Sequence, residues 1–349
     1  MTYVIRRVRP ADRPRWAPLW KGYQVFYQVD LPTEVTELTW RRFFDGLEPV
    51  HALVAEEGED LIGIVHYLFH RSTWMVGPNC YLQDLFTAEA RALASNAVLI
   101  KGKEEAVLVD SCLIQSDAEK LVKMVRSSGR ELTSVLITHA HPDHYFGLGS
   151  IREAFPAAKM YARKEVIDGM REFRAKIVHW QEMYRGELPA ALPLPELLPG
   201  DSLQLEGHDI SFVDLFMVET VYATAFYLPA QKAFIAGDLV YAQAQHYMSD
   251  VNDPDTWMEA LEGVRKVGAI NKLFPGHGPV GGAELLDASI QWMRDYKEVA
   301  RPGVRFVDIA KAMMARYPKH ALAILLWVTR GPGFGLCGAA EAGLPAGLL

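Results

Sequence analysis

Cysteine is scarce in this sequence. Its 349 residues include three cysteines, Cys80, Cys112 and Cys337, and their spacing contains no CxxC pair. A thiolate metal cluster is therefore excluded, because such a site needs several closely spaced cysteines. A low and odd cysteine count is typical of proteins from a reducing compartment, which favours a cytoplasmic location.

Long hydrophobic runs are also absent. The longest uninterrupted apolar run, Ala321–Val328, is too short to cross a bilayer. The N-terminal residues 1–16 contain arginines but no apolar core of the kind that a signal peptide needs. We therefore predict a cytoplasmic protein without a membrane partner.

Positive charge is not in excess. The 36 lysines and arginines are outnumbered by 43 aspartates and glutamates, which leaves a formal net charge of -7 and a pI near 5.9. This balance argues against a nucleic-acid partner, since no dominant positive field is available for a phosphate backbone. The sequence also lacks the G-x-S-x-G motif of serine hydrolases. A small-molecule substrate remains the predicted partner.

Residues 1–90 lack a glycine-rich phosphate loop. Their pattern is strand, helix, helix and three strands, and they contain the segments 8–12 (VRPAD), 61–63 (LIG) and 81–86 (YLQDLF). These segments resemble the first half of the GCN5-related acetyltransferase fold. In that family a Gly-rich turn opens the next helix, whose backbone N–H groups hold the pyrophosphate of acetyl-CoA. Residues 87–96 contain no glycine, so we predict a truncated acetyltransferase-like module without acetyltransferase activity.

Histidine, in contrast, is concentrated in the stretch 138–144, which reads THAHPDH. It follows an apolar run that predicts a buried strand, and it precedes a Gly-containing segment that leads into a helix. Neutral imidazole and carboxylate are the side chains that bind borderline divalent metals. Alternate side chains of an extended segment point the same way, so His139 and His141 are predicted to reach one ion. Asp143 and His144, beyond the turn at Pro142, are predicted to reach a second ion.

Two further candidate ligands follow other predicted strands. Asp238 comes after the predicted strand Lys232–Ala236, beside Gly237, and His277 lies between two glycines after the predicted strand 272–274. A carboxylate in such a position can bridge two cations, and glycine permits close approach of the backbone. Three strand ends that deliver ligands to one edge predict a metal site in the crevice beyond a sheet.

The residues from about 96 to 282 resemble the metallo-β-lactamase superfamily. The resemblance rests on Asp110 at the end of a predicted strand and on the histidine motif of residues 138–144. It also rests on the motifs 237–238 (GD) and 275–278 (PGHG). It implies an α/β fold, namely an αββα sandwich with a dinuclear metal centre. This domain is predicted to span residues 91–349, with a helical C-terminal extension at residues 283–349. By matching position, the implied ligands are His139 and His141 for the first ion, Asp143, His144 and His277 for the second, and Asp238 as the bridge.

One expected histidine is missing. The superfamily normally supplies a further ligand histidine after a hairpin strand, upstream of the bridging aspartate, but residues 216–224 (FMVETVYAT) contain none. We predict that Glu219 replaces it. Tyr222 is a poorer ligand because a phenol has a pKa of about 10, and a weak or empty first site is the remaining alternative. Two divalent ions are predicted, zinc or alternatively iron or manganese. An added carboxylate would make the site harder, which favours iron or manganese over zinc somewhat more than usual.

The resemblance implies a metal-dependent hydrolase that uses a metal-bound hydroxide on an ester, lactone, thioester, amide or phosphoester bond. Asp143 is the predicted catalytic residue, which orients the nucleophile. Tyr145 and Tyr222 are candidate oxyanion donors and His246 is a candidate substrate contact, with a structural role as the alternative for each.

Three questions stay open at this point. An iron-based oxidoreductase on the same site and a metal-binding chimeric protein without turnover are the alternative functions. Trp180 and Tyr184, on a helix predicted for residues 165–185, are candidate pocket residues. The apolar C-terminal run 321–328 is predicted to pack on its own domain, with a homodimer contact as the alternative.

Overall fold

A computed structural model of the protein describes residues 3–26, 29–57, 60–71, 79–87, 95–174, 187–188, 192–251 and 253–328. The chain divides into two compact units, one containing Met1–Arg91 and the other spanning Ala92–Ala339. Within the described ranges, no helix is both long and apolar enough to cross a membrane.

The first unit is built on an antiparallel sheet with the strand order β1-β2-β3-β4. Its elements are β1 (Tyr3–Arg7), α1 (Arg13–Phe26), α2 (Thr33–Arg42), β2 (Val50–Glu57), β3 (Asp60–His70) and β4 (Asn79–Thr87). The core is aromatic: the rings of Trp16 and Trp20 stack 5.7 Å apart, and Trp40 packs on Trp16 at 4.9 Å. Trp16 Nε1 donates to Nε2 of the buried His66 (3.1 Å), whose Nδ1–H donates to Asp84 (2.8 Å). The buried imidazole is thereby fully hydrogen-bonded, as a core histidine requires.

The second unit contains two five-stranded sheets, of which the first has the order β5-β6-β7-β8-β9. Its strands are β5 (Val98–Lys101), β6 (Glu105–Val109), β7 (Glu131–Leu136), β8 (Lys159–Ala162) and β9 (Glu196–Leu197). The helices that connect them are α3 (Gln115–Ser127), α4 (Pro142–Tyr145), α5 (Leu148–Ala154) and α6 (Lys164–Arg174). β5 is antiparallel to β6, and the remaining neighbours are parallel. Parallel pairing places the carboxyl ends of β6 and β7 at one edge, where the histidine motif begins.

The second sheet has the order β10-β11-β12-β13-β14 and is antiparallel except for the β13–β14 pair. Its strands are β10 (Ser202–Leu205), β11 (His208–Phe216), β12 (Tyr222–Leu228), β13 (Ala233–Tyr241) and β14 (Lys272–His277). Its helices are α7 (Pro254–Val264), α8 (Glu284–Val299), α9 (Phe306–Arg316) and α10 (Ala323–Val328).

The two sheets pack face to face. Val107 and Val109 of β6 lie in the apolar layer between them, together with Phe226 of the opposite sheet. Leu108 belongs instead to the core that the first sheet forms with α3, α5 and α6. This alternation is the period of two of an extended strand. On the outer face of the second sheet, α8 contacts β13 and Trp257 of α7 donates to the carbonyl of Leu239. The predicted αββα sandwich with a helical C-terminal extension is confirmed.

One strand is longer than the sequence predicts. The strand expected to end at Ala236 continues to Tyr241, because its parallel pairing with β14 resumes after register shifts around Gly237. Asp238 therefore lies inside β13, next to the irregularity, and not beyond the end of a strand. Such bulges redirect a side chain without ending the sheet.

The helix predicted for residues 165–185 is described in part. Its first portion is α6, which ends at Arg174. Trp180 and Tyr184 lie outside the described residues, so their role as pocket residues stays a prediction.

Candidate metal centre

The histidine motif follows β7 directly. His139 and His141 are presented by extended chain after the strand, whereas Asp143 and His144 lie on the single helical turn of α4, with Pro142 as its first residue. All four ligand candidates are buried, with at most 8% of any residue exposed. A proline at the first helical position fits because its missing N–H has no partner to lose there.

The structure brings all seven predicted ligands together in two groups. The first group is His139, His141, Glu219 and Asp238; the second is Asp143, His144 and His277. Within each group the candidate ligand atoms lie within 4.8 Å of one another. Asp238 connects the groups, since its Oδ1 is 3.1 Å from His144 Nε2 and its Oδ2 is 3.2 Å from His277 Nε2. The same Oδ2 lies 3.9 Å from His139 Nε2, which is the arrangement that a bridging carboxylate needs.

Glycine makes the approach of Asp238 to β14 feasible. A Cβ at Gly276 would lie 1.7 Å from Asp238 Oδ1, and Gly237 has a positive φ of 52° with Thr138 3.0 Å from its would-be Cβ. A side chain at either position would collide with the site. The two glycines therefore permit the contact between β13 and β14 that places Asp238 beside His277.

Glu219 reaches the first group from the turn between β11 and β12. The turn is closed by hydrogen bonds from Met217 N to Val221 O and from Val218 N to Thr220 O, each 3.0 Å. Glu219 is 2% exposed. Its Oε1 is 2.8 Å from His141 Nδ1 and its Oε2 is 3.6 Å from His139 Nε2. A glutamate thus occupies the place where the superfamily pattern supplies a histidine.

The hydrogen bonds around the site assign the histidine tautomers. Thr138 Oγ1 donates to Asp110 Oδ2 (2.8 Å) and accepts from His139 Nδ1–H (2.9 Å). His144 Nδ1–H donates to the same Asp110 oxygen (2.7 Å). In its neutral form each ring therefore presents the Nε2 lone pair to the centre, as metal ligands do when a carboxylate or hydroxyl holds the other nitrogen. Asp110 thus positions ligands of both groups.

Asp250 orients a candidate ligand and was not predicted from the sequence. Its Oδ2 accepts from His141 Nε2–H at 2.8 Å, and Tyr247 OH donates to its Oδ1 at 3.1 Å. His141 therefore turns Nδ1 toward Glu219 and the centre. No local motif marks Asp250, because it lies 109 residues from His141 in the sequence.

Four buried polar atoms at the centre lack a hydrogen-bond partner among the described residues. They are His139 Nε2, His144 Nε2, Glu219 Oε2 and Asp238 Oδ1; His144 Nε2 lies 3.1 Å from Asp238 Oδ1, but the two atoms lack the geometry of a hydrogen bond. Each unpaired buried polar atom costs roughly 1–3 kcal/mol. All four belong to the two ligand groups, and cations bound there would satisfy them. The donor set of imidazole and carboxylate fits divalent transition metals.

Burial and charge shape the titration of the cation-free centre. Burial raises the pKa of Glu219 to about 8. Burial also lowers the pKa of His139 well below its ordinary value, so this ring is neutral and able to bind metal. For Asp238, burial alone would raise the pKa, but the imidazoles of His277 and His144 hold it well below the usual range. Cation binding must therefore displace protons from the centre.

The three predicted substrate contacts lie in different settings. Tyr145 is 1% exposed and belongs to the apolar core around Ile137, which favours its structural alternative. Tyr222 is 45% exposed, packs on Phe216 at 5.2 Å, and lines a cavity of about 210 Å³ beside α6. His246 is 1% exposed and stacks between two aromatic rings. A substrate role for Tyr222 stays a prediction.

Cys112, two residues after Asp110 in the sequence, is expected to be chemically inert. Burial raises the pKa of its thiol to about 12, so about one molecule in 10⁴ carries the reactive thiolate at pH 8. Cys80 is exposed and provides an internal comparison. Iodoacetamide should modify Cys80 of the folded, metal-free protein at least about 100-fold faster than Cys112, as measured by peptide mass spectrometry. Equal rates in the folded protein would contradict the buried environment of Cys112.

Comparison with known proteins is consistent with this architecture. The family model described as the metallo-beta-lactamase superfamily matches residues 90–277, more than half of the chain. The metallo-beta-lactamase type 2 of Bacteroides fragilis is 25% identical over 210 residues, which cover 58% of this chain and 77% of that protein. The solved metallo-beta-lactamase from Pontibacter korlensis is 17% identical with a TM-score of 0.45, and the match covers 69% of this chain and 98% of that one.

The first unit has a different relative. The D-amino-acid N-acetyltransferase HPA3 of Saccharomyces cerevisiae is 36% identical over 88 residues, which are 25% of this chain. The match spans 55% of the length of the yeast protein, so the first unit is similar to part of an acetyltransferase. The family match of the second unit covers all seven candidate ligands, from His139 through His277. On this evidence the chain is a member of the metallo-β-lactamase superfamily.

Proposed function

We propose that the protein is a hydrolase that uses two divalent cations to cleave an ester, lactone, thioester, amide or phosphoester bond of a small molecule. The observation that carries this proposal is the pair of buried ligand groups joined by Asp238, in which four ligand atoms make no hydrogen bond of normal geometry to any described residue. Superfamily membership supports a metal-dependent hydrolase in general.

The proposed assignment of ligands follows the two groups. His139, His141 and Glu219 would hold the first ion, Asp143, His144 and His277 would hold the second, and Asp238 would be shared between them. When bound, such ions make hydroxide available from water near neutral pH and polarise the oxygen under attack. Zinc is the proposed metal, with iron and manganese as alternatives because Glu219 adds a hard oxygen ligand.

Asp143 is the proposed catalytic residue. Burial alone would raise the pKa of its carboxyl group, but the neighbouring imidazoles of His144 and His277 lower it below the ordinary value. Its Oδ2 lies 3.3 Å from His277 Nε2. The carboxylate is thereby ionised and held in place, so it is suited to orient the attacking water and to pass its proton to the leaving group.

Acetyl transfer is not part of the proposal. The relative of the first unit is matched over part of its length, and residues 87–96 provide no glycine for a pyrophosphate-binding turn. We propose that the first unit has a structural or otherwise adapted role and does not carry out acetyl-CoA chemistry.

Metal analysis combined with a substrate screen tests the proposal. The protein is loaded with zinc, manganese or iron, its metal content is measured by mass spectrometry, and it is assayed against lactones, thioesters, esters, β-lactams and phosphodiesters. We expect close to two ions per chain and turnover of at least one class, lost with a chelator and regained with metal. His139→Ala should lower the metal content to about one ion per chain and abolish turnover, whereas the exposed His208→Ala should change neither.

The outcomes separate the alternatives. Fewer than one ion per chain together with no turnover on any class would reject the hydrolase. Bound iron with oxygen consumption and no hydrolysis would favour the iron-based oxidoreductase, for which the Glu219 carboxylate is the supporting observation. Two bound ions without any turnover would favour a metal-binding protein without catalysis.

A further inference from the structure

Five aromatic rings form a continuous column that starts at the metal centre. His277 stacks on Tyr241 (centroids 5.0 Å apart, planes 16° apart), and Tyr241 stacks on His246 (4.8 Å, 29°). His246 stacks on Trp292 (4.2 Å, 15°), which stacks on Tyr296 (5.4 Å, 11°). All five residues are at most 4% exposed. The column runs from β14 through β13 to helix α8.

Tyr241 makes two contacts with proposed ligands. Its hydroxyl donates to Asp238 Oδ2 at 2.6 Å, and its ring covers one face of His277. It is also the residue of β13 that pairs with His277 in the parallel register. A hydrogen bond to one carboxylate oxygen limits rotation of the carboxylate, and a stacked ring limits rotation of the imidazole. Tyr241 is therefore placed to fix the orientation of both ligands.

Helix α8 holds the other end of the column. Trp292 Nε1 donates to Gln245 Oε1 at 3.0 Å, and Ser289 Oγ donates to the carbonyl of Tyr241 at 3.4 Å. The backbone of Gln245 is tied in turn to Ala321, which accepts from Gln245 N at 2.9 Å. Ser289, Trp292 and Ala321 lie beyond residue 277, where the family match ends. The C-terminal extension thus packs directly behind the segment that carries Tyr241.

His246 serves the column as a neutral ring. Both of its nitrogens are buried and lack a hydrogen-bond partner of normal geometry among the described residues. Burial lowers the pKa of His246 to about 3, so the ring is uncharged at neutral pH. Its described contacts are faces of Tyr241 and Trp292, together with Trp257 at 5.9 Å.

We infer that helix α8 of the C-terminal extension, acting through the column of Trp292, His246 and Tyr241, positions Asp238 and His277 for metal binding. The inference rests on the proposed metal centre but not on the hydrolytic reaction. Tyr241, His246 and Trp292 are positioning residues, since they act through the proposed ligands. Groups that orient metal ligands typically change metal affinity by about 10- to 100-fold when removed.

Three variants test the column by metal affinity. Tyr241→Phe removes the hydroxyl that holds Asp238 and keeps the ring, so zinc affinity should fall by about 10- to 100-fold. Trp292→Leu removes the ring that supports His246 and should weaken zinc binding by about 10-fold. His246→Leu removes the middle ring of the column and should weaken zinc binding by about 10-fold.

The measurements are zinc competition with a chromophoric chelator and the visible spectrum of the Co²⁺-substituted protein. The spectrum reports ligand geometry, which a merely structural role would leave unchanged. Phe226→Leu is the matched control, because Phe226 is equally buried in the same unit and lies between the sheets, outside the column. It should lower thermal stability without changing zinc affinity or the Co²⁺ spectrum.

The results decide each proposal separately. Wild-type zinc affinity and an unchanged Co²⁺ spectrum in Tyr241→Phe and Trp292→Leu would overturn the column. If Trp292→Leu does not fold, Tyr241→Phe decides alone, since it removes a single oxygen atom. Wild-type zinc affinity in a folded His246→Leu variant would also overturn the inference, since it would mean that the middle ring of the column is not required. A wild-type protein that binds zinc but hydrolyses nothing would reject the proposed reaction and leave these affinity measurements decisive.

Discussion

Asp238→Asn is expected to remove at least one bound ion and to lower kcat/KM by about 10³-fold or more. Asp238 is the carboxylate shared by both ligand groups, with oxygens 3.1 Å and 3.2 Å from His144 and His277. An amide of the same shape has no negative charge to neutralise the ions. Bound metal contributes several kcal/mol of transition-state stabilisation, and each ~1.4 kcal/mol is a factor of ten in rate.

Metal content and steady-state kinetics measure this effect. Asp209→Asn is the matched control, because Asp209 is an exposed aspartate on β11 of the same sheet. That variant should retain wild-type metal content and kinetics. If Asp238→Asn also kept its full metal content and its rate, Asp238 would not bridge the ions, and the two groups would not form one centre.

Glu219→Ala is expected to release the first ion while the second remains bound. Glu219 Oε1 lies 2.8 Å from His141 Nδ1. Among the described residues, the other carboxylate of the first group is that of Asp238 on β13. Removal of this ligand should lower the affinity for the first ion at least about 100-fold, which exceeds the usual effect of removing a residue that only orients a ligand. Glu219→His should restore binding and increase the preference for zinc over manganese, because imidazole is the softer ligand.

Titration of each variant with zinc and with manganese measures these preferences. Glu196→Ala, at an exposed glutamate of β9, is the control and should behave like the wild-type protein. Two equally tight ions in Glu219→Ala would show that Glu219 is not a ligand. The first site would then depend on His139 and His141 with solvent.

The same glutamate predicts a pH dependence. Burial raises the pKa of Glu219 to about 8 in the cation-free protein, and a metal ligand must be deprotonated before it binds. Protons therefore compete with the first ion below pH 8, so its affinity should rise as the pH increases toward about 8. In Glu219→Gln this contribution to the pH dependence should disappear along with most of the affinity. Calorimetric titrations in buffers of different ionisation enthalpy would count the protons released.

The metal centre could be predicted in large part because most of its ligands are encoded locally. Four of the candidate ligands lie within six residues after one strand, where the period of two and a single helical turn determine which of the two groups each side chain joins. Asp238 lies within the apolar strand β13 and His277 ends β14, each beside a glycine. Glu219 could be predicted as a candidate ligand because the segment 216–224 offers few alternatives, and the structure places it with His139 and His141.

Supporting residues were not predictable in the same way. Asp250 acts on a histidine 109 residues away, and Tyr241 contacts Asp238 because β13 continues through a bulge that leaves no clear pattern in the sequence. Tyr145 follows the histidine motif directly, yet its side chain lies in the apolar core. Position along the chain does not determine the side of an element on which a single aromatic ring is buried.

The sequence by itself supplied the candidate ligand types and their grouping, because these depend on local periodicity and on motif spacing, and its resemblance to the superfamily implied the αββα class. Only the tertiary structure decided which atoms share the centre and what holds them there. Asp110 and Asp250 assign the histidine tautomers, and a ring column from helix α8 reaches Asp238 and His277. These contacts join segments that are distant in the sequence, and they form only when the two sheets and the outer helices pack together.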